Sequence, residues 1–344
     1  MNRMTIATMI LTAIAVAACS PDSGGGSGAT GAGGGGDGAG GGAGASGAAA
    51  AAKASTVIVM NEKAWDVAIE GDTLYWTSTT YPMGGVRKSK RDGSGVTTLY
   101  EEMLASFERM AGDATTIYAL DALNGQLVAV PKAGGAPTVL VPKGTYGFLG
   151  AQGVAVDDAN VYFLGLESSS NQGVVGKVPK TGGPITVLVT GDARGSGLAV
   201  DATNVYFPTQ AGATSTLSAV PKTGGAAMAL SMKQCNDLHA VGTKLYCTEG
   251  LQLAVHDLAS PATSTIVVTG LSATSFAIDG DDVFFPQASV SEGTNLIIGH
   301  GSLSSGGAAT PYAQAGTHPL RLAVDATAVF FTDLDDGSIR AVQR

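Results

Sequence analysis

The feature that most constrains this chain is a repeat of about forty residues that runs from Ser55 to the C-terminus. An aromatic residue recurs at Tyr75, Tyr118, Tyr162, Tyr206, Tyr246, Phe284 and Phe330, with gaps of 43, 44, 44, 40, 38 and 46 residues. Five residues before it stands an acid in six of the seven copies: Glu70, Asp113, Asp157, Asp201, Asp279 and Asp325, with Val241 the exception. The clearest copy reads Gly153–Asp157, Val161–Phe163, Gly173–Lys180 and Ile185–Val189. These runs are short, rich in β-branched residues and bounded by Gly, Asp or Pro, which is the pattern of strands. No helical period competes after residue 60.

Four strands in every repeat of 40–45 residues predict an all-β chain, a seven-bladed β-propeller of four-stranded antiparallel blades. The seventh repeat ends after three strands, at 321–325, 328–332 and 337–342. An extra strand, Ser55–Met60, precedes the first repeat and resembles the fourth strands Pro137–Val141 and Ile185–Val189. It is expected to complete the last blade and cover an edge that would otherwise invite aggregation. Third strands are marked by Val-Pro-Lys at 130–132, 178–180 and 220–222. The Gly-Gly pairs that follow read as turns that need positive φ, not as phosphate loops, because no helix follows them. The repeated acids read as turn acceptors for backbone amides.

Upstream of the repeats the chain reads as an address and a spacer. Arg3 precedes an apolar stretch from Met4 to Ala18, shorter than the roughly 20 residues a spanning helix needs. The stretch ends in Val16–Ala–Ala–Cys19, which resembles the lipobox of bacterial lipoproteins, with Val where that family prefers Leu. The resemblance implies cleavage after residue 18, acylation of Cys19 and, with Ser20 following, an outer-membrane address. The alternative is an ordinary signal peptide. Residues 23–52 hold 15 Gly, 10 Ala and 3 Ser, too little apolar bulk to offset the entropy of ordering. The expected organisation is a signal peptide at 1–18, a lipidated Cys and flexible tether at 19–52, and a propeller at 53–344. With 19 Lys+Arg against 28 Asp+Glu, the net charge of −9 excludes a nucleic-acid footprint.

Leu74–Tyr–Trp–Thr77 and Phe330–Phe–Thr–Asp333 resemble the YWTD-type propeller repeat, and the Val-Pro-Lys-x-Gly-Gly copies resemble secreted bacterial propellers of the TolB and NHL groups. The resemblance spans residues 55–344. It implies the fold, and fold does not imply function. YWTD and TolB propellers usually have six blades, which keeps six as the alternative to seven.

Few residues carry chemistry. Cys235 and Cys247 flank a hairpin in the one repeat that lacks the acid, and an exported chain meets an oxidising compartment, so a disulfide is expected, with two free thiols as the alternative. His239, His256, His300 and His318 have no metal-ligand spacing. Asp333–Gly337 reads as an Asp-Gly hairpin turn rather than a calcium loop. Nine residues before each aromatic stand Asp66, Arg109, Gly153, Gly197, Asp237, Ser275 and Arg321, a ring at the channel mouth left partly open by its two glycines. The expected ligand-binding residues are Asp66, Arg109, Asp237, His239, His318 and Arg321; the bland reading is a set of rim salt bridges. The loops between second and third strands, at 77–85, 164–172, 208–214 and 286–294, vary most and share the face of that mouth. The expected function is a monomeric, membrane-anchored envelope lipoprotein that binds a protein, peptide or glycan without catalysis, metal or cofactor. The alternative is a propeller lyase or hydrolase with a polar, metal-assisted mouth.

Overall fold

The computed structural model describes residues 52–79, 82–149, 151–211, 214–272, 275–288 and 296–344. Their regular elements are all strands, arranged in seven sheets that each hold four antiparallel strands in radial order. Blade 1 comprises Ala64–Glu70, Thr73–Ser78, Met83–Lys90 and Thr97–Met103; blade 2, Phe107–Gly112, Thr116–Asp121, Gln126–Pro131 and Thr138–Val141. Blade 3 comprises Ala151–Val156, Asn160–Glu167, Gly173–Pro179 and Thr186–Gly191; blade 4, Ala199–Val200, Asn204–Ala211, Thr214–Pro221 and Met228–Ser231. Blade 5 comprises Asn236–Val241, Lys244–Glu249, Gln252–Asp257 and Ser264–Thr269; blade 6, Ala277–Asp279, Asp282–Ala288, Leu296–Ser302 and Thr310–Gly316. Blade 7 takes Pro319–Val324, Ala328–Asp333 and Ser338–Gln343 from the C-terminus and Thr56–Val59 from the N-terminal side. The seven-fold reading therefore holds, and six blades are excluded. Several second strands run further than expected, to Glu167, Ala211 and Ala288, so the loops after them are shorter than the sequence suggested.

Closure follows the expected route. Thr56 pairs with Ala341 and Val57 with Arg340, antiparallel, and Val59 is buried among Trp76, Leu74, Phe330 and Ile339. A flat blade can bury its faces only against its neighbours, so the apolar interior is divided into seven clusters, one at each seam between blades. The anchor aromatics lie in these seams, with Tyr118, Tyr162, Phe284 and Phe330 almost fully buried.

The repeated acids have the turn role expected of them, and a second role besides. Asp157 Oδ1 accepts the Ala159 and Asn160 amides, while Oδ2 accepts the Tyr162 hydroxyl at 2.8 Å. Asp113 does the same with Thr115, Thr116 and Tyr118. The second role is a bridge between blades. The Lys of each Val-Pro-Lys reaches back to the acid of the preceding blade: Lys132 to Glu70, Lys180 to Asp113 and Lys222 to Asp157. Arg344 of blade 7 meets Asp279 of blade 6, and Arg91 of blade 1 meets Asp325 of blade 7. Four of these cations also lie 5.1–5.5 Å over the anchor ring of the blade they reach. Five of the seven seams are bridged in this way. Among the described residues the two unbridged seams are those on either side of blade 5, which has Val241 in place of the acid and no Val-Pro-Lys. Blade 5 instead holds the disulfide expected between Cys235 and Cys247, with Cα atoms 5.4 Å apart.

The acid ring makes stability pH-dependent. Burial pushes the Asp113 and Asp157 carboxyls up, but the bonds from Lys180 and Lys222, the turn amides and the tyrosine hydroxyls outweigh it, and both are held well below the usual carboxylate range. Asp201 and Asp325 are lowered in the same way. A carboxyl depressed in the folded state adds stability that is present above its unfolded pKa, about 3.9, and lost as pH falls below it. The melting temperature is therefore expected to hold between about pH 7 and 5 and to fall steeply below about pH 4. Asp157→Asn should flatten part of that fall in melting curves recorded against pH; an unchanged profile would remove Asp157 from the account.

Candidate functional site

The seven ring positions converge. Asp66, Arg109, Gly153, Gly197, Asp237, Ser275 and Arg321 all line one cavity of about 230 Å³ on the channel axis, together with His239 and Phe276. The local cause is a β-bulge. In blades 1, 2, 5 and 7 the register between the first and second strands shifts at Ala64/Val67, Phe107/Arg109, Asn236/His239 and Pro319/Leu322. These shifts fall at the four charged ring residues. A bulge re-aims the side chain it carries, here toward the axis. Asp237 has φ 50°, a left-handed conformation that Asp tolerates. The Thr two residues after the anchor aromatic supports the bulge. Thr77 Oγ1 accepts the Asp66 amide and Thr332 Oγ1 accepts the Arg321 amide, each at 3.2 Å. The Thr of the YWTD-like sequence thus holds the ring residue in place. That link was readable as a recurrence at Thr77, Thr248 and Thr332, but not as a partner of the ring.

Asp237 is the hub. Its Oδ1 accepts Arg321 Nη1 at 2.6 Å and lies 3.5 Å from Arg109 Nη1; its Oδ2 accepts the Phe276 amide of the next blade. Asp66 likewise accepts the Met110 amide of blade 2 at 3.0 Å. Arg109 reaches past Gly153 of blade 3 to the Ser196 hydroxyl, a residue the ring alignment did not include. The glycines are therefore not gaps, which corrects the expectation of a partly open ring. A Cβ at Gly153 would stand 2.7 Å from Leu198 Cβ, and one at Gly197 would stand 2.8 Å from the Asp237 amide nitrogen. Glycine lets three inner strands close together, and the Arg109 side chain spans the space above.

The salt bridges of the bland reading are present, Arg321 and Arg109 both with Asp237, but they are buried rather than at a wet rim: Arg109 and Arg321 are each 8% exposed and Asp237 is 7%. Pairs at a wet rim contribute about 0–1 kcal/mol, but buried partners depend on each other far more. Burial raises the Asp66 carboxyl, with Arg321 and Arg109 opposing. Burial also pushes Asp237 up, but Arg321, His239 and Arg109 outweigh it and hold that carboxyl far down. Desolvation and the like charge of Arg321 lower Arg109 to about 10. Among the described residues, neither the Arg109 nor the Arg321 Nε–H, both buried, has an acceptor. The mouth therefore has charges in balance and hydrogen-bond donors in surplus.

The remaining expected residues fall as follows. His239 joins the mouth, 3.6 Å from Asp237 and tilted against Phe276 at 4.4 Å between ring centroids. His318 does not: it is exposed and faces Asp335, 3.5 Å away on the turn of its own blade. The reason is that it precedes the bulge of blade 7, so the bulge turns Arg321 inward and leaves His318 outside. Asp333–Gly337 is the expected hairpin turn, with Asp333 accepting the Thr317, His318 and Asp335 amides. Cys19 lies outside the described residues.

No protein-family model matches the chain, and no curated protein does. Solved structures do. An oligogalacturonate lyase from Vibrio parahaemolyticus superimposes at TM-score 0.64 with 10% identity, over 83% of this chain and 91% of that one. An oligogalacturonate lyase in complex with manganese gives 0.63 and 12%, over 83% and 90%. BamB from Moraxella catarrhalis gives 0.52 and 14%, over 84% and 100%. At such identities the likeness carries the architecture alone. What this chain shares with these proteins is the β-propeller fold.

Proposed function

We propose that the protein is a lipid-anchored envelope protein whose propeller captures a partner at the channel mouth without transforming it. The observation that carries the reading is the convergence of Asp66, Arg109, Asp237 and Arg321 on one cavity. Charge-assisted hydrogen bonds from a guanidinium to an anion are about twice as strong as neutral ones, so the two arginines that line the cavity favour an anionic guest. The guest that fits is a small anionic group, such as a carboxylate on a peptide, protein or acidic glycan. At about 230 Å³ the cavity is smaller than most small-molecule pockets, roughly 300–1,000 Å³, so it would receive one such group rather than a whole oligomer.

The address rests on the sequence. Val16–Cys19 supports lipidation, the Gly- and Ala-rich stretch supports a tether, and Ser20 supports the outer membrane. Two or more acyl chains would make the anchoring stable. Cys19→Ser is expected to move the protein to the soluble fraction and to abolish labelling by fatty acid; continued labelling would exclude Cys19 as the anchor. Capture should be measured on the same chain with envelope extracts, comparing the wild type with Arg109→Gln. Capture that survives in Arg109→Gln would take the mouth out of the function.

A second reading, a lyase or hydrolase, has one observation in its favour. The environments of Asp66 and Asp237 push their carboxyls in opposite directions, as in acid–base pairs. Turnover of an oligogalacturonate, the substrate class named for the two lyase neighbours, would favour it over capture.

A further inference from the structure

A second cluster lies in blade 5, formed by residues that do not line the mouth. Cys235, Cys247 and His256 are fully buried, and Glu249 is 9% exposed. One ligand atom from each lies within 4.8 Å of every other. His256 Nδ1 is 2.9 Å from the Pro261 carbonyl, so that nitrogen must carry the proton it donates. Nε2 is then the ring nitrogen that faces the cluster. That nitrogen is 3.6 Å from Cys235 Sγ and 3.2 Å from Glu249 Oε1. The contact to Oε1 is not aligned as a hydrogen bond, and Oε1 is buried with no donor. Nε2 and Oε1 are thus two adjacent buried atoms that one cation can bind together. A carbonyl on the far ring nitrogen, fixing the tautomer, is the arrangement found behind histidine metal ligands.

We propose that, once the Cys235–Cys247 disulfide is reduced, blade 5 binds one zinc-class divalent cation through Cys235 Sγ, Cys247 Sγ, His256 Nε2 and Glu249 Oε1. A tetrahedral zinc site with Zn–S near 2.3 Å and Zn–N or Zn–O near 2.0–2.1 Å places its ligand atoms roughly 3.3–3.8 Å apart. The Cys–His and His–Glu separations are already close to that range. The sulfurs only have to part. The reductant is a dithiol: it takes up the disulfide's bond as its own cyclic disulfide and leaves two cysteine thiols. The cation then displaces the two thiol protons. Two thiolates and one carboxylate leave one negative charge on the bound dication, and the Lys233 ammonium, 2.9 Å from Glu249 Oε2, offsets it. The disulfide and the metal are two ways of closing the same blade, which has neither its own repeated acid nor a cation bridge on either side. The proposal does not depend on what the channel mouth binds.

The test uses the full chain, reduced with a dithiol that is then removed by gel filtration under argon, and titrated with Co²⁺. One equivalent of Co²⁺ should bind, with a thiolate-to-cobalt charge-transfer band and the strong d–d bands of a tetrahedral site. Zn²⁺ should bleach both. The oxidised chain should give neither, and Cys19→Ser should leave the stoichiometry unchanged. Glu249→Gln and His256→Ala should each weaken Co²⁺ binding at least about tenfold. If His256→Ala does not fold, Glu249→Gln, which keeps the side-chain shape, carries the comparison. A reduced chain without the thiolate band, the same band in the oxidised chain, or undiminished affinity in Glu249→Gln would overturn the site.

Discussion

Arg321→Ala is expected to destabilise the propeller by about 3–5 kcal/mol, because it leaves the buried Asp237 carboxylate without its main partner. Arg321 Nη1 donates to Asp237 Oδ1 at 2.6 Å, and the other nearby cation, Arg109, stands at 3.5 Å. Asp237 cannot turn to solvent, since its bulge and its bond to the Phe276 amide hold it over the axis. The loss would lower the melting temperature on the order of ten degrees. Removing the acid's charge as well, Asp237→Asn with Arg321→Met, should recover most of it, because Asn is neutral, tolerates the left-handed φ and still offers an acceptor to the Phe276 amide, and the cost comes from an unpaired buried charge and not from the loss of a favourable pair. Calorimetry on the two variants decides the matter. A fall of a degree or less in Arg321→Ala would mean that the mouth is wet enough to solvate Asp237, and the rim reading would return. The consequence for binding experiments is direct. Alanine variants of this ring confound folding with capture, so conservative changes such as Arg109→Gln are the informative ones.

Deleting residues 53–60 is expected to lower the melting temperature by several degrees and to cause aggregation, whereas deleting 20–52 should change neither. The short segment is held at three places. Thr56–Val59 pairs with Ser338–Gln343; Val59 is 5% exposed in the seam with Trp76 and Phe330; and Lys53 Nζ donates to the Tyr312 hydroxyl and the Gln343 carbonyl, both at 3.0 Å. Losing the Val59 side chain alone removes about 1.5–3 kcal/mol of apolar burial. Losing the strand also frees the edge of Ser338–Gln343 for pairing with another chain. The segment at 20–52 has no comparable apolar side chain, so its removal costs no burial. Melting curves and light scattering on the two truncations test this; equal behaviour would show that the ring closes without the strand.

The sequence by itself determined the repeat, the blade count, the closing strand, the turn role of the repeated acids and the Cys235–Cys247 bridge. All of these but the closing strand are short-range relations. Asp157 and Tyr162 are five residues apart on one hairpin, and the spacing of anchors from Tyr75 to Phe330 counts the blades directly. Even the long-range closure could be read, because a blade one strand short and an unassigned strand at the other end have one consistent pairing. The tertiary structure alone decided which charges meet. Lys222 finds Asp157 across 65 residues, and Arg321 finds Asp237 across 84, because neighbouring blades bring equivalent positions of successive repeats together and the channel brings distant blades together at its axis. Alignment put seven residues on a ring but could not tell a wet rim from a buried one. That difference comes from how close the inner strands approach, and Gly153 and Gly197 set the approach. His318 and Arg321 show the same limit: three residues apart in sequence, they are sent to opposite sides by one bulge. Glu249 and His256 became partners of the disulfide only when the second and third strands of blade 5 placed their side chains over it, a matter of register and twist that no spacing in the chain encodes.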